Sequence, residues 1–257
     1  MILRGYKDPA TILHGSYKKN VAFPDSLLGT LSTDEAYDAQ FQLLQIRQNE
    51  NEKLVGWKVG LTSTAMQQQQ GVHEPCLGHL IKSGQRHSPA IFKFNDLHSP
   101  GFENELCLRL KFPLEENYPS LENVANAVEA VAPALEIIER RSPFGSDFPL
   151  VIAGNAQQHA FVTGKFIPFS KKMDLAQTIA TVSINGKAVE TALGSEVLGN
   201  PLESVRWLAK KLTAFGYKLE AGMLVMTGSF TKQYSLKLGD QIKTDFDGIG
   251  ATSAIFK

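Results

Sequence analysis

Cysteine is scarce. Cys76 and Cys107 are the only two among 257 residues. They form no paired spacing of the zinc or redox kind, so a disulfide framework is not what organises this fold. Excess charge is also missing. Lys and Arg total 26, Asp and Glu total 26, and the formal net charge is zero. With the basic residues scattered, composition speaks against nucleic acid and against an anionic membrane surface as partners. Any steering of a charged substrate must therefore be local. No apolar run approaches the roughly 20 residues that span a bilayer, so no membrane is expected. The opening Met1-Ile2-Leu3-Arg4-Gly5-Tyr6-Lys7-Asp8 carries no signal-type apolar stretch, and a cytoplasmic location is the expectation. The histidines lack metal-ligand spacing. Gly60, Gly71 and Gly78 are not spaced as a dinucleotide-binding loop. There is no internal repeat, and the biased stretch Gln67 to Gln70 is too short to be a disordered tract.

What remains is an ordinary globular composition, 43% hydrophobic and 20% charged. The patterning gives its order. Ser32 and Glu35 form a capping box, and Tyr37, Phe41 and Leu44 then recur at helical spacing, so 33–50 reads as an amphipathic helix. Residues 53–60 read as a strand, 64–70 as a short helix and 102–110 as a strand. Ser120 caps a helix carrying Leu121, Val124, Val128 and Val131, and 132–139 reads as a buried strand. Asn185-Gly186 joins two strands as a tight hairpin. Asn200 and Pro201 open a helix whose apolar face is Val205, Leu208, Leu212 and Phe215, and Gly216 ends it. Strands follow at 222–228, 241–246 and 251–256. The sum is an α+β fold, with a helical N-terminal part over 1–80 and a β-rich catalytic body over 81–257 forming one compact unit.

Four features can carry chemistry. On a strand over 102–110, Glu103, Glu105, Cys107 and Arg109 share one face. The two carboxylates then root about 7 Å apart, close enough to lean onto one ion. The solvated face of an amphipathic strand has the same pattern. Glu136 sits in the apolar stretch Ala132-Pro133-Ala134-Leu135-Glu136-Ile137-Ile138. A buried, unpaired carboxylate is costly or stays protonated, so it needs a cation. Arg140, Arg141 or a metal would serve. Three carboxylates without His or Cys would suit a hard ion such as Mg²⁺ or Mn²⁺. Lys58 lies on the 53–60 strand between Gly56 and Gly60, with room for a ligand to approach, and it can act as acid or base if partly desolvated. An exposed lysine on an edge strand fits that pattern too. Finally, Thr227 and Ser229 flank Gly228 at the end of a strand, where a turn can offer amides and hydroxyls to a carboxylate.

Taken in order, the motifs resemble a known family. Gly56-Trp57-Lys58-Val59-Gly60-Leu61-Thr62-Ser63, the Gln67–Val72 stretch, Pro75 and Gly78, Glu103-Asn104-Glu105, Pro133-Ala134-Leu135-Glu136-Ile137, Val197-Leu198-Gly199-Asn200-Pro201-Leu202 and the tail Gly239-Asp240 to Gly250 are similar to the 2-keto-4-pentenoate hydratases. That family includes 2-oxohept-3-enedioate hydratase and 4-oxalocrotonate decarboxylase, within the fumarylacetoacetate hydrolase superfamily. The likeness runs over about residues 33–257. It implies a mixed β-roll or sandwich body with N-terminal helices, a homo-oligomer, and a small 2-oxo acid as substrate. It implies Mg²⁺ or Mn²⁺ on Glu103, Glu105 and Glu136, proton handling by Lys58, and substrate contacts from Leu61, Cys76, Gln157, Thr227 and Ser229. The chain departs from the pattern where hydratases commonly read Pro-Asp-Phe-Gly and this chain reads Pro75-Cys76-Leu77-Gly78. It departs again at Gly154-Asn155-Ala156-Gln157, which replaces Asp-Asn-Ala-Ser, and at Glu139-Arg140-Arg141, which replaces Asp-Ser-Arg.

A metal-dependent hydratase of 2-hydroxy-2,4-dienoates or 2-oxo-alkenoates is the leading expectation, with a 2-oxo-3-enedioate decarboxylase next. Acylpyruvate hydrolysis would want a base to activate water, and no His sits on a matching motif. A non-catalytic paralogue, serving as binder or scaffold, is the reading from a different class. Retention of Lys58 and all three glutamates speaks against it.

Overall fold

The structure is a computed structural model that describes residues 8–63, 67–68, 71–116, 118–142 and 147–257. Its frame is a nine-stranded sheet. Seven strands run in the order β2 (Cys76–Ile81), β1 (Leu54–Gly60), β11 (Leu224–Met226), β5 (Pro100–Leu110), β6 (Val128–Glu139), β7 (Gln158–Thr163) and β3 (Gln85–His87). Short β12 (Tyr234–Ser235) pairs with β5, and β8 (Ile167–Pro168) with β6. A second sheet runs β10 (Lys187–Leu193), β9 (Ile179–Ile184), β13 (Gln241–Phe246), β14 (Gly250–Phe256) and β4 (Ala90–Phe92). Both sheets are mixed: β1 with β11 and β4 with β14 are parallel, against a largely antiparallel background. This is the α+β, roll-and-sandwich architecture expected from the sequence. The large sheet takes in β1 and β2, which precede or reach residue 80, alongside the strands of the body.

The large sheet curls. Leu80 of β2 and Phe161 of β7 share one buried cluster with Cys107, Ala134, Leu224 and Met226, so strands far apart in the pairing order meet across an interior. Alternation along each strand divides the two faces. On the outer face of β6, Leu135 and Ile137 pack with Phe102, Val182, Ile242 and Phe256, which forms the core between the two sheets. On the outer face of β1, Trp57 and Val59 pack under the helices. The opposite parity, which includes Lys58, Glu103, Glu105 and Glu136, is left facing the interior of the roll.

The helices follow their sequence signals. Helix α1 (Pro9–Lys19) is capped by Asp8, and α2 (Thr33–Asn49) carries the full Ser32/Glu35 capping box. Then come α3 (Leu121–Ala127), α4 (Phe148–Ala153) and α5 (Pro201–Thr213). The Asn185-Gly186 hairpin forms as expected, with both residues at positive φ (52° and 78°). One boundary differs. The helix after Ser120 stops at Ala127, and Val128 and Val131, read from sequence as its last turns, begin β6 instead. Both are β-branched, and they pair with Leu110 and Leu108 of β5, a cross-strand fit that a lone short helix does not offer. The expected 64–70 helix lies largely outside the described residues.

Aromatic packing fixes α2 to the sheet. Phe41 of α2 stands 5.9 Å from the Trp57 ring, 4.6 Å from Phe215 and 4.9 Å, stacked, from Tyr217. Each such contact adds to the area it buries. Phe41→Ala should therefore lower unfolding free energy by about 3–5 kcal/mol, measured by urea titration, because the cavity opens where the helix docks onto β1. A loss below 1 kcal/mol would mean that this cluster does not hold the helix to the strand that carries Lys58.

Candidate active site and metal centre

The antiparallel pairing of β5 and β6 places Glu103 directly opposite Glu136, and Glu105 opposite Ala134. Facing pairs on one side of a sheet have their side chains in contact range, and Glu103 and Glu105 are two residues apart on the same face. One carboxylate oxygen from each of Glu103, Glu105 and Glu136 lies within 4.8 Å of the other two. Glu105 and Glu136 are fully buried, and Glu103 is half-buried. The solvated-face alternative fails at Glu105, and also at Cys107, which is equally buried.

Lys58 supplies the charge that Glu136 needed. Its Nζ lies 3.3 Å from Glu136 Oε1 and donates to the Ala156 carbonyl at 2.9 Å. The arginines do other work. Arg141 pairs with Glu139 at 2.7 Å, and Arg140 donates to Gln233 at 3.0 Å. Lys58 is only 3% exposed, so the edge-strand reading is also wrong: β1 lies between β2 and β11. Two glycines make room for the side chain. A Cβ on Gly78 would sit 3.0 Å from Lys58 Cε, and one on Gly60 would sit 3.2 Å from Nζ.

The remaining partners come from two turns. Gly228 N–H donates to Glu105 Oε2 at 2.7 Å. Gly228 has φ +107°, and a Cβ there would strike Thr62, so the turn that aims this amide requires glycine. Gln233, which no sequence motif marks, donates to Glu103 Oε1 at 2.9 Å and to Gln157 Oε1 at 3.3 Å. Asn155, Ala156 and Gln157 occupy consecutive left-handed conformations (φ 60°, 49° and 66°), and that strained run presents the Ala156 carbonyl to Lys58.

Electrostatically the cluster is short of positive charge. Burial raises the Glu105 carboxyl well above the ordinary range, and Glu136 and Glu103 raise it further. Burial pushes Glu136 up to about 7, against the opposing pull of Lys58. Burial alone would depress the Lys58 ammonium, but the carboxylates of Glu136, Glu103 and Glu105 outweigh it and hold the lysine protonated. Glu105 Oε1 and Glu136 Oε2 find no hydrogen-bond partner among the described residues. Buried acceptors without donors are uncommon in a finished interior. An all-oxygen, anionic set with orphaned oxygens fits a hard divalent cation with positions left for water or substrate.

Glu103, the half-buried member of the cluster, and Lys58 line a cavity of about 370 Å³. Of the residues expected from sequence to meet substrate, Leu61, Cys76, Gln157 and Ser229 line it, together with Lys58 and Glu103. Thr227 does not. Its hydroxyl donates to the Leu106 carbonyl at 3.1 Å and its carbonyl accepts from Ser204, so it braces the turn that carries Gly228. Burial pushes the Cys76 thiol up to about 11, so the group at this position is neutral near pH 7. Phe148, Val151 and Phe230 add an apolar wall that the sequence did not reveal.

Comparison with known proteins points the same way. The family model for the fumarylacetoacetate (FAA) hydrolase C-terminal region matches residues 79–256. The chain is similar to a 2-keto-4-pentenoate hydratase of Paraburkholderia xenovorans (strain LB400), at 32% identity over 236 residues, covering 91% of this chain and 86% of that one. It is similar to a 4-oxalocrotonate decarboxylase of Pseudomonas putida, at 33% over 223 residues, covering 86% and 84%. Among solved structures, the 4-oxalocrotonate decarboxylase from Pseudomonas putida G7, complexed with magnesium and adipate, superposes with a TM-score of 0.91 at 30% identity, covering 97% of this chain and 96% of the other.

A pH dependence follows. Glu136 titrates near 7 in the folded, metal-free protein, against an ordinary value of 4.5. The folded state thus holds a proton that the unfolded chain has lost. The stability this proton gives is complete below about pH 4.5 and is lost as pH rises through 7. A cation displaces the proton. The rise in melting temperature caused by Mg²⁺ or Mn²⁺ should be small at pH 5 and grow to pH 8, as read by differential scanning fluorimetry. Glu136→Gln should shrink it at every pH. A metal shift independent of pH, or unchanged in that variant, rejects the cluster as the metal site.

Proposed function

The chain belongs to the fumarylacetoacetate hydrolase family, and from that membership we propose that it is a divalent-metal-dependent lyase adding water to a 2-hydroxy-2,4-dienoate or 2-oxo-alkenoate. The observation that carries the reading is the buried triad of Glu103, Glu105 and Glu136 with unpaired oxygens, and Lys58 at its edge. When bound there, Mg²⁺ or Mn²⁺ supplies a Lewis acid for the carboxylate and 2-oxo oxygens of the substrate, favouring the negative charge that develops on them.

The chain's own residues do the rest. Hydration of a 2-hydroxydienoate needs the hydroxyl proton removed and a carbon proton delivered, followed by addition of water across the remaining double bond with a second proton delivered to carbon. Lys58 is the proton carrier: its ammonium gives a proton to carbon, and the amine so formed takes the hydroxyl proton. Its ammonium is held by the Ala156 carbonyl and Glu136 at the cavity wall, so it presents a proton at a fixed place. Gln233 fixes the Glu103 and Gln157 side chains relative to each other, and Gly228 N–H fixes Glu105. Leu61, Phe148 and Val151 keep bulk water from the buried end.

The same floor serves a decarboxylase of 2-oxo-3-enedioates, which forms the same type of enolate by losing CO₂. The likeness to 4-oxalocrotonate decarboxylases supports that second reading. Self-association belongs to the proposal as well. Ile179 and Leu193 are paired neighbours on β9 and β10 and both are exposed, as is Val189, which gives the small sheet an apolar surface of the kind that self-association covers. A cytoplasmic setting is supported by two buried, free thiols. No helix among the described residues is long and apolar enough to cross a membrane.

The decisive assay follows 2-hydroxypenta-2,4-dienoate by ultraviolet absorbance with Mg²⁺ or Mn²⁺. Turnover should require the metal. Lys58→Ala should cut the turnover number by about 100-fold or more, the usual weight of a positioned acid–base, while a metal-dependent rise in melting temperature persists. Full turnover in Lys58→Ala would remove this residue from the chemistry.

A further inference from the structure

We propose that the cavity selects 2-oxo acids with an uncharged tail over those with a second carboxylate at the far end. The inference rests on the proposed function and narrows its substrate class.

Exposure grades along the cavity. Lys58, Cys76 and Gln157 are each 5% exposed or less and mark the floor, beside Glu103. Thr191, Glu196 and Lys232 are exposed and mark the mouth, with Glu190 half-buried beside them. Between them apolar Leu61, Phe148, Val151, Ala192 and Phe230 share the wall with the hydroxyls of Thr62, Ser229 and Thr231. A 2-oxo acid held by its carboxylate end at the floor therefore runs its tail along this mixed wall and out past Glu190 and Glu196.

Among the described residues, no cation that lines the cavity is free of an anionic or carbonyl partner. The Lys232 ammonium, on a side chain 69% exposed, lies 3.8 Å from Glu190, so it is shared with an anion before substrate arrives. Glu190 is held in place by the Tyr234 hydroxyl, which donates to it. Glu196 has no ion-pair partner among the described residues. Lys58 is committed to the Ala156 carbonyl and Glu136. Arg140 does not line the cavity. Its guanidinium is engaged by Gln233 at 3.0 Å and by the Ser99 and Pro100 carbonyls at 3.4 Å. Residues 64–66, 69–70 and 143–146, next in sequence to lining residues, contain no Lys, Arg or His. The mouth thus holds two carboxylates against one shared ammonium. An emerging carboxylate meets like charge, while a methyl or vinyl tail carries no charge for the two carboxylates to repel.

The test is calorimetric binding of two unreactive acids, 2-oxopentanoate and 2-oxohexanedioate, to the Mg²⁺-loaded protein at low salt. Two solvent-exposed like charges are worth about 3-fold each, so the monoacid should bind about 10-fold tighter. The ratio should fall several-fold in the double variant Glu190→Gln, Glu196→Gln, and should also fall at 0.5 M NaCl. Glutamine at 190 keeps an acceptor for Tyr234, and an unchanged melting temperature will show that the double variant is folded. A diacid that binds as tightly as the monoacid, or a preference untouched by the double variant and by salt, overturns the inference and leaves the proposed function standing. If neither acid binds with Mg²⁺ present, the reading of the floor as a 2-oxo acid site fails first, and the inference fails with it.

Discussion

Everything at this centre depends on three like charges being forced together out of water. At an effective dielectric of about 20, two ionised carboxylates 4.8 Å apart repel by on the order of 3 kcal/mol. Burial adds a desolvation cost for each. The β5–β6 register imposes this arrangement and leaves the side chains no other place to go. The surrounding residues then read as compensation. Lys58 answers Glu136, the Gly228 amide answers Glu105, and Gln233 answers Glu103. Burial first, and mutual repulsion second, leave two of the carboxylates with raised proton affinities and orphaned oxygens.

Much of this was legible in the chain because it is written in strand alternation. Glu103 and Glu105 share a parity, and Glu136 breaks an apolar stretch, so both features are local. What sequence could not decide was whether those positions faced water or an interior. That depends on the curl of the whole sheet, which brings β2 against β7. The same nonlocality hid the right partner of Glu136. Arg140 and Arg141 are its neighbours in sequence, whereas Lys58 arrives from a strand almost 80 residues earlier, through space left by Gly60 and Gly78. Gln233 and Glu196 sit in connecting segments with no periodic signal, Glu190 sits on a hairpin strand with no motif around it, and only the folded chain assembles them. The misplaced start of β6 has another cause. Val124, Val128 and Val131 fit a helical stripe, and cross-strand pairing overrode it.

The departures from the family pattern also look different in three dimensions. Gly154-Asn155-Ala156-Gln157 lost an acid and a serine, yet its backbone is the part in use. Three successive left-handed residues are costly for side chains other than glycine. They persist here because surrounding bonds hold them: Asn155 bridges both backbone groups of His79, and Tyr17 donates to the Gly154 carbonyl. The contact to Lys58 is made by the Ala156 peptide carbonyl, while the Asn155 side chain holds the run and the Gln157 side chain faces the cavity. Cys76 differs in kind, because it exchanges an acid for a neutral thiol at the cavity floor and so alters what the floor can bind.

The parallel pairing of β1 with β11 sets Lys58 beside Met226, and Glu105 receives its amide from Gly228. These partners are more than a hundred residues apart in the chain. A nascent polypeptide emerging from the ribosome therefore carries all three glutamates long before it carries the turn that anchors one of them. Contacts this distant form late, after shorter loops have closed. The last donor to the carboxylate cluster is thus a product of the late stage of synthesis, and until it emerges Glu105 is without its amide.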